Sequence, residues 1–209
     1  MKPHDKIYSP IWECAGSDDL RPDLKLIHFQ NNFVYCTDAN IAIRQSLDLW
    51  QIDETERENM NGKSISANDL KKLCKDQRFF EFRPDYYGTN EIRLQYVKPD
   101  SEIKNILDTI DQLFTIDPDR IQTVPIFGFN PELTTRLHKA MFRDIKAFNS
   151  FICLARGKNK PFVCLDNYEQ NIYLNAGLFM PVYFEDRFDD VRAWAVLPED
   201  KHELERVEP

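Results

Sequence analysis

The sequence predicts an α+β fold in which helices lie against one side of antiparallel sheets. Three observations predict it. Residues 24–47 alternate apolar and polar positions around an Asn31–Asn32 turn, the pattern of half-buried strands in a meander. Helix-start signals precede residues 67 and 131, each followed by apolar residues at helical spacing. One unit also recurs: a strand, a helix, then a short meander, around 63–97 and 122–184 and, without a visible first strand, around 7–47.

In chain order, residues 6–17 (KIYSPIWECAGS) form a short helix candidate, with Pro10 near its start and Gly16 at its end. Strands follow at 24–30, 33–37 and 41–47. Residues 48–62 (DLWQIDETERENMNG) are acidic and polar, which predicts a surface connection with room for a helical turn. A short strand then leads into a helix over 67–78. Ser66 and Asp69 make an S-x-x-D capping signature, and Leu70, Leu73 and Cys74 supply its apolar side. RFFEFRP and EIRLQYV read as strands joined by a DYYGTN turn that contains Gly88.

DSEIKNILDTIDQLF places Ile103, Ile106, Leu107, Ile110, Leu113 and Phe114 at helical spacing and carries an acidic polar face. TVPIFGF reads as a strand entering a helix over 130–148. Asn130 can cap that helix, and Pro131 suits its first position because no intrahelical partner awaits an N–H there. SFICLAR, PFVCLDN and IYLNAGLFMPVYF are strand-like, and the end of the chain is charged. The organisation expected is an N-terminal domain at 1–100, a helical connector at 101–119, a C-terminal unit at 120–185 and a tail at 186–209.

Composition narrows the chemistry. The chain has 209 residues, of which 42% are hydrophobic and 30% charged, enough for a sizeable core. No apolar run approaches the roughly 20 residues of a membrane span, and MKPHDKIYSP lacks the apolar centre of a signal peptide, so no membrane partner and a cytoplasmic location are expected. Five cysteines without a CxxC pair suit reduced thiols in the core. The four histidines are scattered, the acidic run at 185–190 reads as a solvated loop, and no phosphate loop, GxSxG elbow or Cys-His signature occurs. No catalytic residue, metal or cofactor is therefore assigned.

Positive charge is nevertheless clustered in a chain of formal net charge −8. On the helix at 130–148, Arg136, Lys139, Arg143 and Lys146 fall within an arc of roughly 80°, opposite Leu133, Leu137, Met141 and Ile145. The helix at 67–78 carries Lys71, Lys72, Lys75 and Arg78. Each stripe reads either as a solvated face or as a contact for a polyanion. As exposed charges, Arg136 and Lys139 are expected to tolerate reversal to Glu with the fold intact.

The combination of WECAGSDDLRPDLKLIHFQNNFVYCTDANIAI with SISANDLKKL, and then FGFNPELTTRLHKAM with GLFMPVYF, resembles bacterial DNA sliding clamps, the β-subunit of DNA polymerase III. It resembles a short phage-like or mobile-element relative more than a housekeeping clamp. The resemblance covers most of 9–184 and implies a processivity fold of repeated units, with helices lining a DNA channel and sheets forming the outer wall. A non-enzymatic protein that contacts duplex DNA phosphates through the eight basic residues would follow, as would homo-oligomers and partners bearing polymerase-type peptide motifs. In that family a Thr-Asp turn and a Met-Pro strand border the pocket for partner peptides. By position these are Thr37, Ala39, Asn40, Ile41, Met180, Pro181 and Val182. Ala39, Asn40 and Ile41 stand where the family has Gly-His-Arg, which keeps open a peptide-binding adaptor or decoy that does not bind DNA.

Overall fold

A computed structural model of the chain describes residues 6–76, 79–99, 101–114, 129–142, 151–155, 160–166 and 174–181. The alternation at 24–47 produces β1 (Leu26–Gln30), β2 (Phe33–Thr37) and β3 (Ile41–Ser46). Asn31 and Asn32 make the first turn at φ 52° and 64°, a region that asparagine enters at lower cost than most residues. Then come α1 (Glu54–Met60), β4 (Lys63–Ser66) and α2 (Ala67–Asp76). The short strands β5 (Glu81–Phe82), β6 (Tyr86–Gly88) and β7 (Arg93–Gln95) precede α3 (Ser101–Phe114). Finally α4 (Pro131–Met141) is followed by β8 (Phe151–Leu154), β9 (Phe162–Asp166) and β10 (Asn175–Phe179).

Seven strands form one antiparallel sheet in the order β4-β1-β2-β3-β10-β9-β8. The join between its early and late strands is β3 with β10, in register from Asn175↔Gln45 to Phe179↔Ile41. The expected N-terminal domain and C-terminal unit thus contribute to one continuous sheet.

Because successive strand residues face opposite ways, the sheet buries two separate apolar layers. Val34, Cys36, Ile41, Ile43, Phe162 and Phe179 join Leu70 and Leu73 of α2 and Leu137 and Met141 of α4 in the larger layer. Tyr35, Ala42, Val163, Leu165 and Leu178 join Leu107, Ile110 and Phe114 of α3 in the smaller one. The helices of the recurring unit share one face, and the helix expected as a connector covers the other. Asp111 fixes α3 there. Tyr35 donates its hydroxyl proton to that carboxylate at 2.8 Å, and Arg44 pairs with it at 3.2 Å while lying over the rings of Phe33 and Phe114. Burial, reinforced by this hydrogen bond, holds the Tyr35 phenol above its usual pKa.

Three local expectations change. The 48–62 segment is a surface connection only in part, because Trp50, Ile52 and Met60 are buried and Trp50 meets Phe29 edge to face at 5.9 Å. Part of the DYYGTN turn is strand β6, the centre of a three-stranded sheet; the chain reverses on both sides of it, where Arg83 N–H donates to the Tyr86 carbonyl and where Thr89 N–H donates to the Ile92 carbonyl. Residues 6–17 hold only the 3-10 turn Ile11–Cys14.

The helix expected over 130–148 starts as predicted, with the Asn130 side chain accepting from Glu132 N–H at 2.9 Å, but it ends at Met141. Phe142 is extended, and two terminal carbonyls are taken from outside the helix: Ser9 donates its hydroxyl proton to Ala140, and the Asn175 amide donates to Met141 at 2.6 Å. Captured carbonyls and an extended Phe142 stop the helix there. The expected strand at 123–129, apart from Phe129, and the tail at 186–209 lie outside the described residues.

Gly177 of β10 permits α4 to lie this close, since a Cβ there would stand 2.7 Å from Leu137 Cδ1 and 3.0 Å from Met141 Sδ. Gly177→Val is expected to destabilise the protein by about 1–3 kcal/mol through overpacking. Urea unfolding measures it.

Candidate functional site

The β2–β3 turn builds one rim of a groove. Thr37 Oγ1 accepts from Ala39 N–H at 3.0 Å and donates to the Ile41 carbonyl at 2.8 Å. Asp38 Oδ1 accepts from Asn40 N–H and Ile41 N–H, both at 2.9 Å. These bonds hold Ala39 at φ 75°, a left-handed conformation that costs an L-residue with a Cβ roughly 1–2 kcal/mol. Met180, just past β10, donates its N–H to the Asn40 carbonyl at 2.9 Å and so is fixed to the same rim.

Two further elements complete the walls. Leu20 to Leu24, ending in the 3-10 turn Pro22–Lys25, borders one side, and α3 presents Ile106, Thr109, Ile110 and Leu113 on the other. The cavity holds about 700 Å³. Its lining is largely aliphatic, and Leu20 (90% exposed), Ile106 and Met180 (39% exposed) leave apolar surface open to solvent. Thr37, Asn40, Asn105 and Thr109 provide polar points among them, and Arg21 and Asp23 one charge of each sign. A concave, largely apolar surface with a few polar groups suits a mainly apolar ligand group.

Of the pocket residues read from the sequence, Thr37, Ala39, Asn40, Ile41 and Met180 converge here from chain positions about 140 apart. Pro181 is buried beside them, and Val182 lies outside the described residues. The α3 wall and Leu20 to Leu24 were missed. Ile106 and Leu113 widen the apolar arc of α3 beyond the buried Leu107, Ile110 and Phe114, and that width was the available signal.

The basic residues within the described part of the chain lie across the sheet. Both α2 and α4 pack on the 3-10 turn Ile11–Cys14, so the two helices share one side of the protein. Lys71 reaches the Glu13 carboxylate at 3.3 Å, Lys72 approaches Asp69 at 3.9 Å, and Lys75 is exposed. Lys139 is partly exposed; Arg78, Arg143 and Lys146 lie outside the described residues, and the last two follow the end of α4.

Arg136 is engaged inward. Its guanidinium donates to the Glu13 carbonyl at 2.9 Å, the Ala15 carbonyl at 3.0 Å and the Asp38 carboxylate at 2.7 Å. Its side chain is 26% exposed and that of Asp38 is 8% exposed. Reversal of Arg136 would set two carboxylates together, so the expectation of an unaffected fold does not hold for this residue.

Other candidate side chains lie within the described residues. Burial raises the Cys14 and Cys36 thiols well above their usual pKa, the reverse of what an activated nucleophile needs. His28 is buried with Nδ1 2.7 Å from Ser64 Oγ. Cys153 is an exception to the expectation of buried thiols: it is exposed, and its sulfur lies 3.6 Å from that of buried Cys164. Among the described residues, no group of three or more His, Cys, Asp or Glu side chains is placed to hold a metal, and no helix is long and apolar enough to cross a membrane. The acidic run at 185–190 lies outside them.

The protein so defined is an α+β chain with an apolar groove on one side of its main sheet and basic helices on the other. Among solved structures it is similar to the DNA polymerase sliding clamp from Bacillus subtilis, at 13% identity and a TM-score of 0.48. The similarity covers 88% of this chain and 63% of that clamp. No protein-family model matches the sequence, and no curated protein matches it.

Ala39→Gly is expected to stabilise the protein by about 0.5–1 kcal/mol, because relief of the positive φ outweighs the added chain entropy of glycine. A higher midpoint in thermal unfolding is the outcome to look for.

Proposed function

We propose that this protein is a non-enzymatic tether of the sliding-clamp type: the groove receives a short apolar segment of a partner protein, and the α2–α4 face meets the phosphates of duplex DNA. The observation that carries the reading is the segregation of the two surfaces. The apolar cavity opens on the α3 side of the sheet, and Lys71, Lys72, Lys75 and Lys139 belong to helices packed on the other. Phosphates repeat regardless of sequence, so lysines on helix faces bind duplex DNA without fixing its register. With a net charge of −8, attraction to DNA is local to that face. Encircling a duplex requires further copies of this chain, and homo-oligomers belong to the same proposal.

A second reading keeps the groove and omits DNA. It is favoured by the inward engagement of Arg136 and by the carboxylates of Glu13 and Asp69 beside Lys71 and Lys72. The two readings separate on charge reversal. Changing Lys71, Lys75 and Lys139 to Glu should weaken binding to duplexes of any sequence and flatten the salt dependence by roughly one unit for each phosphate no longer neutralised. Fluorescence anisotropy across a salt series measures both. A parent protein with no salt-sensitive DNA binding leaves the adaptor.

The groove is tested separately. Peptides selected from a random displayed library on the parent protein should lose affinity at least about tenfold for Met180→Asp, since a peptide covering that position must desolvate a carboxylate. Equal affinity for a variant with an unchanged unfolding curve rejects the groove as their site.

A further inference from the structure

We infer that Arg136 is a positioning residue for the groove, holding both of its loop rims from the opposite side of the sheet; the inference rests on the reading of the groove as a peptide site. One rim is the Thr37–Ile41 turn. Its Asp38 carboxylate uses Oδ1 to bind Asn40 N–H and Ile41 N–H, and Oδ2 to accept from Arg136 Nη1 at 2.7 Å. Arg136 therefore sets the orientation of the group that shapes the turn. The turn needs such restraint, because Ala39 sits at φ 75° and an L-residue stays there only where its surroundings hold it.

The other rim is reached through the segment after the 3-10 turn Ile11–Cys14. Arg136 Nε and Nη2 bind the Glu13 and Ala15 carbonyls, and the next residue, Gly16, donates its N–H to the carbonyl of groove residue Leu24 at 2.7 Å. Gly16 is wedged between the rims. A Cβ on it would stand 3.0 Å from Leu24 Cβ and 3.6 Å from Asp38 Cα. Three acceptors from two segments converge on one planar fork, a geometry that guanidinium satisfies and a lysine ammonium cannot reproduce.

Amide hydrogen exchange reads the effect without a ligand. Asn40 and Ile41 N–H report the Asp38 bonds, Met180 N–H reports the bond to the Asn40 carbonyl, and Val34 in β2 serves as a reference. Arg136→Met should raise exchange at the three reporters about tenfold relative to Val34, with Arg136→Lys intermediate. Adding Ala39→Gly to Arg136→Met should restore part of the protection at the reporters relative to Val34, since glycine adopts the turn without strain; a merely global role for Arg136 predicts that exchange at the reporters and at Val34 changes in parallel in both variants. Affinity for a fluorescein-labelled hexapeptide of leucine and phenylalanine should fall and recover in the same order.

Unchanged reporter exchange in Arg136→Met overturns the positioning role. If that variant does not fold, unchanged reporters in Arg136→Lys overturn it equally. Exchange that behaves as expected in a parent protein that binds no hexapeptide supports the positioning role and instead counts against the groove as a peptide site.

Discussion

The pairing of β3 with β10 is the constraint from which the groove and both helix layers follow. At one end of this pair Asn175 stands opposite Gln45, and the two side chains are buried and hydrogen-bonded at 3.3 Å. Gln45 also donates to Ser9 and accepts from the Trp50 indole, while Asn175 donates to the last carbonyl of α4. A buried amide left without partners is costly, so this network fixes the register as well as adding stability. A slip by one residue would turn Leu178 and Phe179 to the wrong layers.

At the other end of the same pair, Phe179 lies opposite Ile41 and Met180 binds the Asn40 carbonyl. The groove forms where early and late segments of the chain are pinned together. The continuity of the sheet explains why the walls are so unlike in origin: a β-turn, a strand end, a 3-10 turn and a helix held by Asp111. Arg136 crosses from the helix layer to that turn, linking the two sides of the protein through one side chain.

Charge acquires a different meaning once the helices are packed. Arg136 and Lys139 look alike on a helical wheel, yet the first is tied to two carbonyls and a carboxylate. Helical periodicity ranks residues by angle around one helix and carries no information on what approaches that helix from elsewhere. The same limit applies to α3, whose acidic polar face holds Asp111, the residue that docks it through Tyr35 and Arg44.

By itself the sequence determined the elements governed by neighbouring residues. Alternation with Asn31–Asn32 specified the β1–β3 meander, Ser66 and Asp69 marked the start of α2, and Asn130–Pro131 marked the start of α4. The resemblance grouped Thr37, Ala39, Asn40, Ile41 and Met180, which the fold places around one cavity. Tertiary structure decided where α4 stops, because its last carbonyls meet Ser9 and Asn175 from distant segments. It also decided that α3 forms a groove wall and that Arg136 faces inward. The division follows range: caps and alternation act over a few residues, whereas the burial of a helix face or a guanidinium depends on partners brought close only by the folded sheet.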